Sequence, residues 1–207
     1  MPQELNHQLR VSSNSKAGMN AHQPIIRVDP GEFYISQADE LIYTRLGSCV
    51  AACIWDPIAG VGGLNHFLVP EKRSQNEWKQ LTSFSCRYGN WAMEQLINAI
   101  LSKGGNRKRL QAKVFGGAQM TPHISIQIGQ ANIDFVRHYL GLENIPIVSE
   151  DMGGILPRKV LFHPLSGKAL MKSLPMSIVS KVNHQEQDYL QALDKDDQRN
   201  QNDIELF

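Results

Sequence analysis

The chain has 207 residues, 42% of them hydrophobic, and a formal net charge of +1. That length supports a domain with a real core, and the balanced charge steers the molecule toward neither nucleic acid nor an anionic membrane. No apolar run is long enough to cross a bilayer, so membrane insertion is not expected.

The first residues, 1–24, are rich in Ser, Asn and Gln, with a Gly at position 18, and read as a mobile arm. They lack the apolar centre of a signal peptide, so a cytoplasmic protein is expected. Ordered structure is expected from residues 24–28 as an edge strand, with Asp29-Pro30-Gly31 as a turn and short strands over 33–36 and 40–44. Residues 50–55 form an apolar run closed by Asp56-Pro57, and 61–69 a second extended stretch ended by Pro70. Paired as a hairpin, these two bring His66 back toward Cys49. Residues 71–85 are polar and read as a loop. A helix over 88–103 follows, with Ala92, Leu96, Ile97 and Ile100 at helical spacing and Gly104-Gly105 as the stop. A strand over 110–115 leads into Gly116-Gly117. A helix over 130–142 carries Ile133, Val136, Tyr139 and Leu140 on one face, and strands follow over 145–149, 159–163 and 169–172. From Ser173 the chain turns polar and acidic, with a helix over 180–193 and a mobile end tipped by Ile204-Glu205-Leu206-Phe207. Strands dominate without strict alternation with helices, which points to an α+β fold. The chain then divides into an arm (1–24), a domain (25–172) and a C-terminal helix with an acidic tail (173–207).

The chemistry centres on Cys49, in the small-residue corner Leu46-Gly47-Ser48-Cys49-Val50-Ala51, and on His66, seventeen positions later. A thiol with an imidazole in reach is the pairing that acyl transfer requires, because the thiolate is the nucleophile and the imidazole can take its proton. Backbone N–H groups at the Gly47-Ser48-Cys49 corner are candidates for holding an oxyanion. A third group should orient the imidazole, and Thr44, Tyr43, Ser48 and Asn65 are all near enough in sequence. The plainer alternative is that Cys49 is a small buried residue and nothing more. Cys53 in a strand and Cys86 in the loop before a helix read as structural. With an odd count and no paired spacing, all three cysteines are expected as free thiols, with neither a metal nor a cofactor. His123, His138 and His163 have no nucleophile beside them and read as structural or surface residues. Gly116-Gly117 reads as close packing, and Asp151 to Gly154 with Arg158-Lys159 as a turn carrying a solvated basic pair or a second polar corner.

Five segments in order carry a resemblance: Leu46 to Ala51, Trp55-Asp56-Pro57, Gly63 to Pro70, Ala112 to Met120, and Gly153-Gly154 with Arg158-Lys159-Val160. Together they resemble the CheD family of chemoreceptor glutamine deamidases, over residues 25–172. The resemblance implies a sandwich of β-sheets with helices outside, similar to the catalytic domain of cytotoxic necrotizing factors. It also implies hydrolysis of selected glutamine side chains on the cytoplasmic helical bundle of chemotaxis receptors, through a cysteine thioester. Cys49 takes the place of the nucleophile and His66 that of the histidine. The family's threonine lies six positions before the cysteine, where this chain has Tyr43; its role is carried to Thr44, one residue later. Implied partners are the receptors and a CheC-like phosphatase. A protein helix as substrate implies a shallow, solvent-open site. The rival readings are a non-catalytic adaptor that binds the same partners, and a hydrolase of receptor methyl esters.

Overall fold

The computed structural model describes residues 23–69, 84–120 and 125–202. The expected N-terminal arm lies outside these residues but for its last two positions. So do the apolar tip of the chain, His123 and nearly all of the expected loop over 71–85.

Nine strands and three helices make up the described residues. The strands are β1 (Ile25–Arg27), β2 (Phe33–Ser36), β3 (Leu41–Leu46), β4 (Val50–Asp56), β5 (Val61–Phe67), β6 (Gln111–Gly116), β7 (Ile147–Met152), β8 (Arg158–His163) and β9 (Lys168–Ser173). The helices are α1 (Phe84–Ser102), α2 (Ser125–Leu142) and α3 (Val179–Asn202). One sheet has the order β1-β3-β8-β9 and the other β2-β5-β4-β6-β7. Within them β1 runs parallel to β3 and β6 parallel to β7; the other neighbours are antiparallel. The α+β arrangement of packed sheets and outer helices is therefore the one expected.

β4 explains the layering. It is buried along its whole length, and its side chains alternate between two cores. Val50, Ala52 and Ile54 join Leu96, Ile97, Ile100, Val136 and Leu140 on the helix side. Cys49, Ala51, Cys53 and Trp55 join Ile42, Leu46, Val160 and Phe162 between the sheets. A strand covered on both faces reads as a continuous apolar run, which is how Val50 to Trp55 appears in the sequence. Each fully buried aliphatic side chain here contributes roughly 1.5–3 kcal/mol. On the helix side, Phe67 meets Phe135 edge-on at 5.6 Å between centroids.

Several boundaries depart from expectation. α1 begins at Phe84, so position 86 lies in its first turn rather than in a loop. α2 begins at Ser125, five residues early, and carries Gly129 inside the helix. β7 runs over 147–152 rather than 145–149; it is an exposed polar edge, Ser149-Glu150-Asp151, held by parallel pairing to β6 and not by an apolar pattern. α3 extends to Asn202, nine residues past expectation, through a wholly polar stretch.

Candidate active site

The Gly47-Ser48-Cys49 corner is where the chain crosses from β3, in one sheet, to β4, in the other. All three of its carbonyls are claimed from behind. Gly117 N–H donates to the Cys49 carbonyl at 2.8 Å and Ala118 N–H to that of Gly47 at 2.7 Å. The buried amide of Asn132 donates to the Ser48 carbonyl at 2.9 Å. Gly116 must be glycine for this packing: its φ is +122°, and a Cβ there would lie 2.1 Å from the Cys49 carbonyl oxygen. The close-packing reading of Gly116-Gly117 fits this geometry. With the carbonyls turned inward, the three N–H groups of the corner converge on the opposite side.

What they converge on is a carboxylate of the same chain. Glu186 of α3 accepts from Gly47 N–H at 2.9 Å, Ser48 N–H at 3.0 Å and Cys49 N–H at 3.2 Å, and from the Ser48 hydroxyl at 2.6 Å. The expectation of a shallow, open site is therefore corrected. Cys49 is fully buried, Thr44 and His66 nearly so, and Glu186 is only 4% exposed.

His66 lies directly opposite Ala51 in the β4/β5 pairing. Opposed residues of an antiparallel pair share a face, and Ala51 shares its face with Cys49 two positions away. The hairpin thus does bring imidazole and thiol together. A ring nitrogen of His66, the Cys49 sulfur and a Glu186 oxygen lie within 4.8 Å of one another. Thr44 comes from the other sheet. Its hydroxyl donates to the Val28 carbonyl at 2.8 Å and lies 2.8 Å from His66 Nδ1. A hydroxyl has one hydrogen, and a carbonyl can only accept. Thr44 Oγ1 must therefore accept from Nδ1–H, which leaves Nε2 as the bare, basic nitrogen. Nε2 is buried with no hydrogen-bond partner.

The electrostatics are those of a covered site. Burial lowers the His66 pKa to about 3, so the imidazole is neutral. Burial, then the Glu186 carboxylate, push the Cys49 thiol well above its ordinary value. Cys49, His66 and Glu186 are the one grouping among the described residues with metal-ligating atoms so close. Four donors on the carboxylate, however, make an anion's cradle.

The other sequence candidates separate cleanly. Tyr43 points to the outer face of β3, with Lys159 Nζ 4.7 Å from its ring centroid and its hydroxyl on Arg45. Asn65 faces the helices, accepting from Ala52 N–H at 3.0 Å and donating to the Ala92 carbonyl at 3.1 Å. Ser48 bonds Glu186, so Thr44 alone of the four reaches His66. Cys53 is a buried free thiol and faces the second sheet. His138 is exposed, and His163 bridges Ser166 and Asp39 at 2.7 and 2.8 Å. Arg158 is no solvated base. It is 5% exposed and donates to Asp151 and to the Gly153 carbonyl. It thereby fixes a loop whose Gly153 N–H bonds the Gly116 carbonyl at 2.9 Å. Sequence reasoning missed Glu186 as a site residue. The available signal was an acid within the apolar stripe Val182, Glu186, Tyr189, Leu190 of the last helix.

Comparison with known proteins places the chain in a family. The family profile described as CheD chemotactic sensory transduction matches residues 68–173. A protein of Vibrio vulnificus (strain CMCP6), named probable chemoreceptor glutamine deamidase CheD, is 46% identical over 187 residues, covering 88% of this chain and 86% of the relative. Relatives of the same name from Saccharophagus degradans and Burkholderia vietnamiensis are 42% and 44% identical. The first covers 88% of this chain and 84% of the relative, the second 82% and 69%. With identity at this level over most of its length, the chain belongs to the CheD family.

Proposed function

We propose that this protein is a protein-glutamine deamidase that converts glutamines of chemotaxis receptors to glutamate with release of ammonia. The observation that carries the reading is the line Thr44–His66–Cys49 beside a cradle of three backbone N–H groups. In the reaction, Cys49 gives its proton to His66 Nε2, and the sulfur attacks the side-chain amide carbon. The Gly47, Ser48 and Cys49 N–H groups hold the oxyanion, and the imidazolium returns the proton to the leaving ammonia. Water, deprotonated at Nε2, then hydrolyses the thioester. Thr44 keeps the imidazole in the tautomer that both steps need. The residues a nucleophilic hydrolase requires would be surplus in an adaptor, so the catalytic reading is preferred. No described helix is long and apolar enough to cross a membrane. We place the protein in the cytoplasm, where the receptors' helical bundle lies, with residues 25–172 as the catalytic domain and a CheC-like phosphatase as a second partner.

The test is mass spectrometry of a cognate receptor's cytoplasmic fragment after incubation with the protein, read for +1 Da shifts at glutamine, with ammonia measured in parallel. Cys49→Ala and His66→Ala should fold normally and leave the fragment unchanged. Methanol release in place of ammonia would instead identify a methylesterase, and near-wild-type ammonia release from Cys49→Ala would sink the mechanism.

A further inference from the structure

Glu186 does not behave like its neighbours on α3. The face of the helix turned to the rest of the protein carries Val182, Glu186, Tyr189 and Leu190. Val182 is buried with Ala118 and Met120. Tyr189 and Leu190 pack on the inter-sheet core. The Tyr189 ring rests on Gly31, where a Cβ would come within 2.4 Å of it. The remaining member of the stripe is a carboxylate, with no ion pair among the described residues. Burying such a group is costly, and here the cost is offset by the four donors of the nucleophile corner. A glutamate offered from a helix, its oxygens on those N–H groups and beside the Cys49 sulfur, has the geometry of a newly formed product that has not yet left.

We propose that α3 is a tethered product analogue: it closes the active site of its own chain by seating Glu186 where the glutamate made from a substrate glutamine would sit, and a chemoreceptor helix must displace it to be deamidated. The identity of the displacing helix rests on the deamidase reading; the closure rests on the contacts alone. The arrangement makes the closed state inert on two counts. The carboxylate occupies the donors an oxyanion would need, and its charge beside the thiol opposes thiolate formation. Removing the helix relieves both. A short 3-10 turn at Met176–Ile178 separates β9 from α3 and gives the helix a hinge about which to leave as a unit. The stripe it vacates would accept another helix with an apolar residue four positions before its glutamine and others three and four positions after.

The experiment uses the full chain as wild type, Glu186→Ala, Glu186→Gln and Glu186→Gln combined with Cys49→Ala. Iodoacetamide labelling near neutral pH, read peptide by peptide, should modify Cys49 at least tenfold faster in Glu186→Ala than in wild type, with Cys53 unchanged. The Glu186→Gln protein presents its own chain with a substrate. Cys49 sulfur adds to the side-chain amide carbon introduced at position 186, the C–N bond breaks and ammonia leaves with a proton from His66. Water then replaces sulfur, restoring the thiol and leaving glutamate. The peptide bearing position 186 should therefore gain 1 Da with time, and should not do so when Cys49 is alanine. Equal labelling of Cys49 in wild type and Glu186→Ala overturns the closure. An amide that persists at position 186 of the Glu186→Gln protein, while that protein still deamidates a receptor fragment, overturns the product-like seating. If neither position 186 nor the fragment changes, the deamidase reading is at fault, and the labelling result still decides the closure.

Discussion

Thr44→Val replaces a hydroxyl by a methyl of nearly the same size and tests the tautomer argument directly. In the native site the Thr44 hydroxyl gives its hydrogen to the Val28 carbonyl and accepts from His66 Nδ1–H, both at 2.8 Å. In the variant Nδ1–H loses that acceptor, and the proton can move to Nε2, which then faces Cys49 as a donor instead of a base. Leaving a buried neutral donor without its acceptor costs about 1–3 kcal/mol. At about 1.4 kcal/mol per decade this places the reactive tautomer about 5- to 150-fold lower in population. The expected result is a fall in kcat of at least about tenfold for deamidation of a receptor fragment, with KM little changed, since Thr44 does not face the substrate. Thr44→Ser, which keeps the hydroxyl, should recover to within about threefold, and Tyr43→Phe should match wild type. Urea unfolding run alongside separates lost chemistry from lost stability. A Thr44→Val protein with kcat within twofold of wild type would refute the reasoning, as would Tyr43→Phe losing activity where Thr44→Val does not.

The corner itself should be intolerant: Gly116→Ala sets a methyl against the Cys49 carbonyl and strains a φ of +122°. It should lower stability by at least about 2–3 kcal/mol, seen as a shifted urea midpoint. Arg158→Met keeps the packing but strands Asp151 and the Gly153 carbonyl. A thermal melt should show a loss of about 2–4 kcal/mol, and no change in melting would mean the loop is held by other means. Acid stability should track two buried groups. Burial alone would raise Asp56, but Arg109 and the N–H groups of Ala59, Asn106 and Ile58 hold it below the usual carboxylate range. Its contribution is present above its unfolded value and lost as pH falls through the folded one; that of His66, lowered by burial to about 3, declines from about pH 6.5 downward. Through His66, unfolding free energy should thus fall monotonically from about pH 6.5 to 4, and Asp56→Asn should flatten the further fall below about pH 4.

How much of this was legible beforehand depended on periodicity. The hairpin that unites Cys49 and His66 could be read because two apolar runs flank Asp56-Pro57. The choice between Tyr43 and Thr44 could not, because the strand's register against the second sheet is fixed by β8: Thr44 pairs with Val160 and so turns inward, while Tyr43 pairs with Leu161 and turns outward. β7 was misplaced because a polar edge strand has no apolar signature, and α3 was cut short because residues 194–202 carry no apolar residue to continue the helical pattern. Glu186 stands in the helix expected over 180–193, within a C-terminal segment read from its composition as polar and acidic. What removes it from solvent is a partner 138 residues away at Ser48, a contact that no local pattern reports.

Thr44 and His66 belong to different sheets, and their 2.8 Å contact spans the seam between them. On the mechanism proposed above, catalytic competence becomes a gauge of how the two layers are docked. A slip of one sheet over the other by less than an ångström would leave every strand paired and nearly all apolar surface covered, yet would break the link that orients the imidazole. Activity should consequently fade under mild denaturant before the circular dichroism of the strands changes. Mutations buried far from Cys49, in the layer between the sheets, should silence the enzyme while sparing its fold.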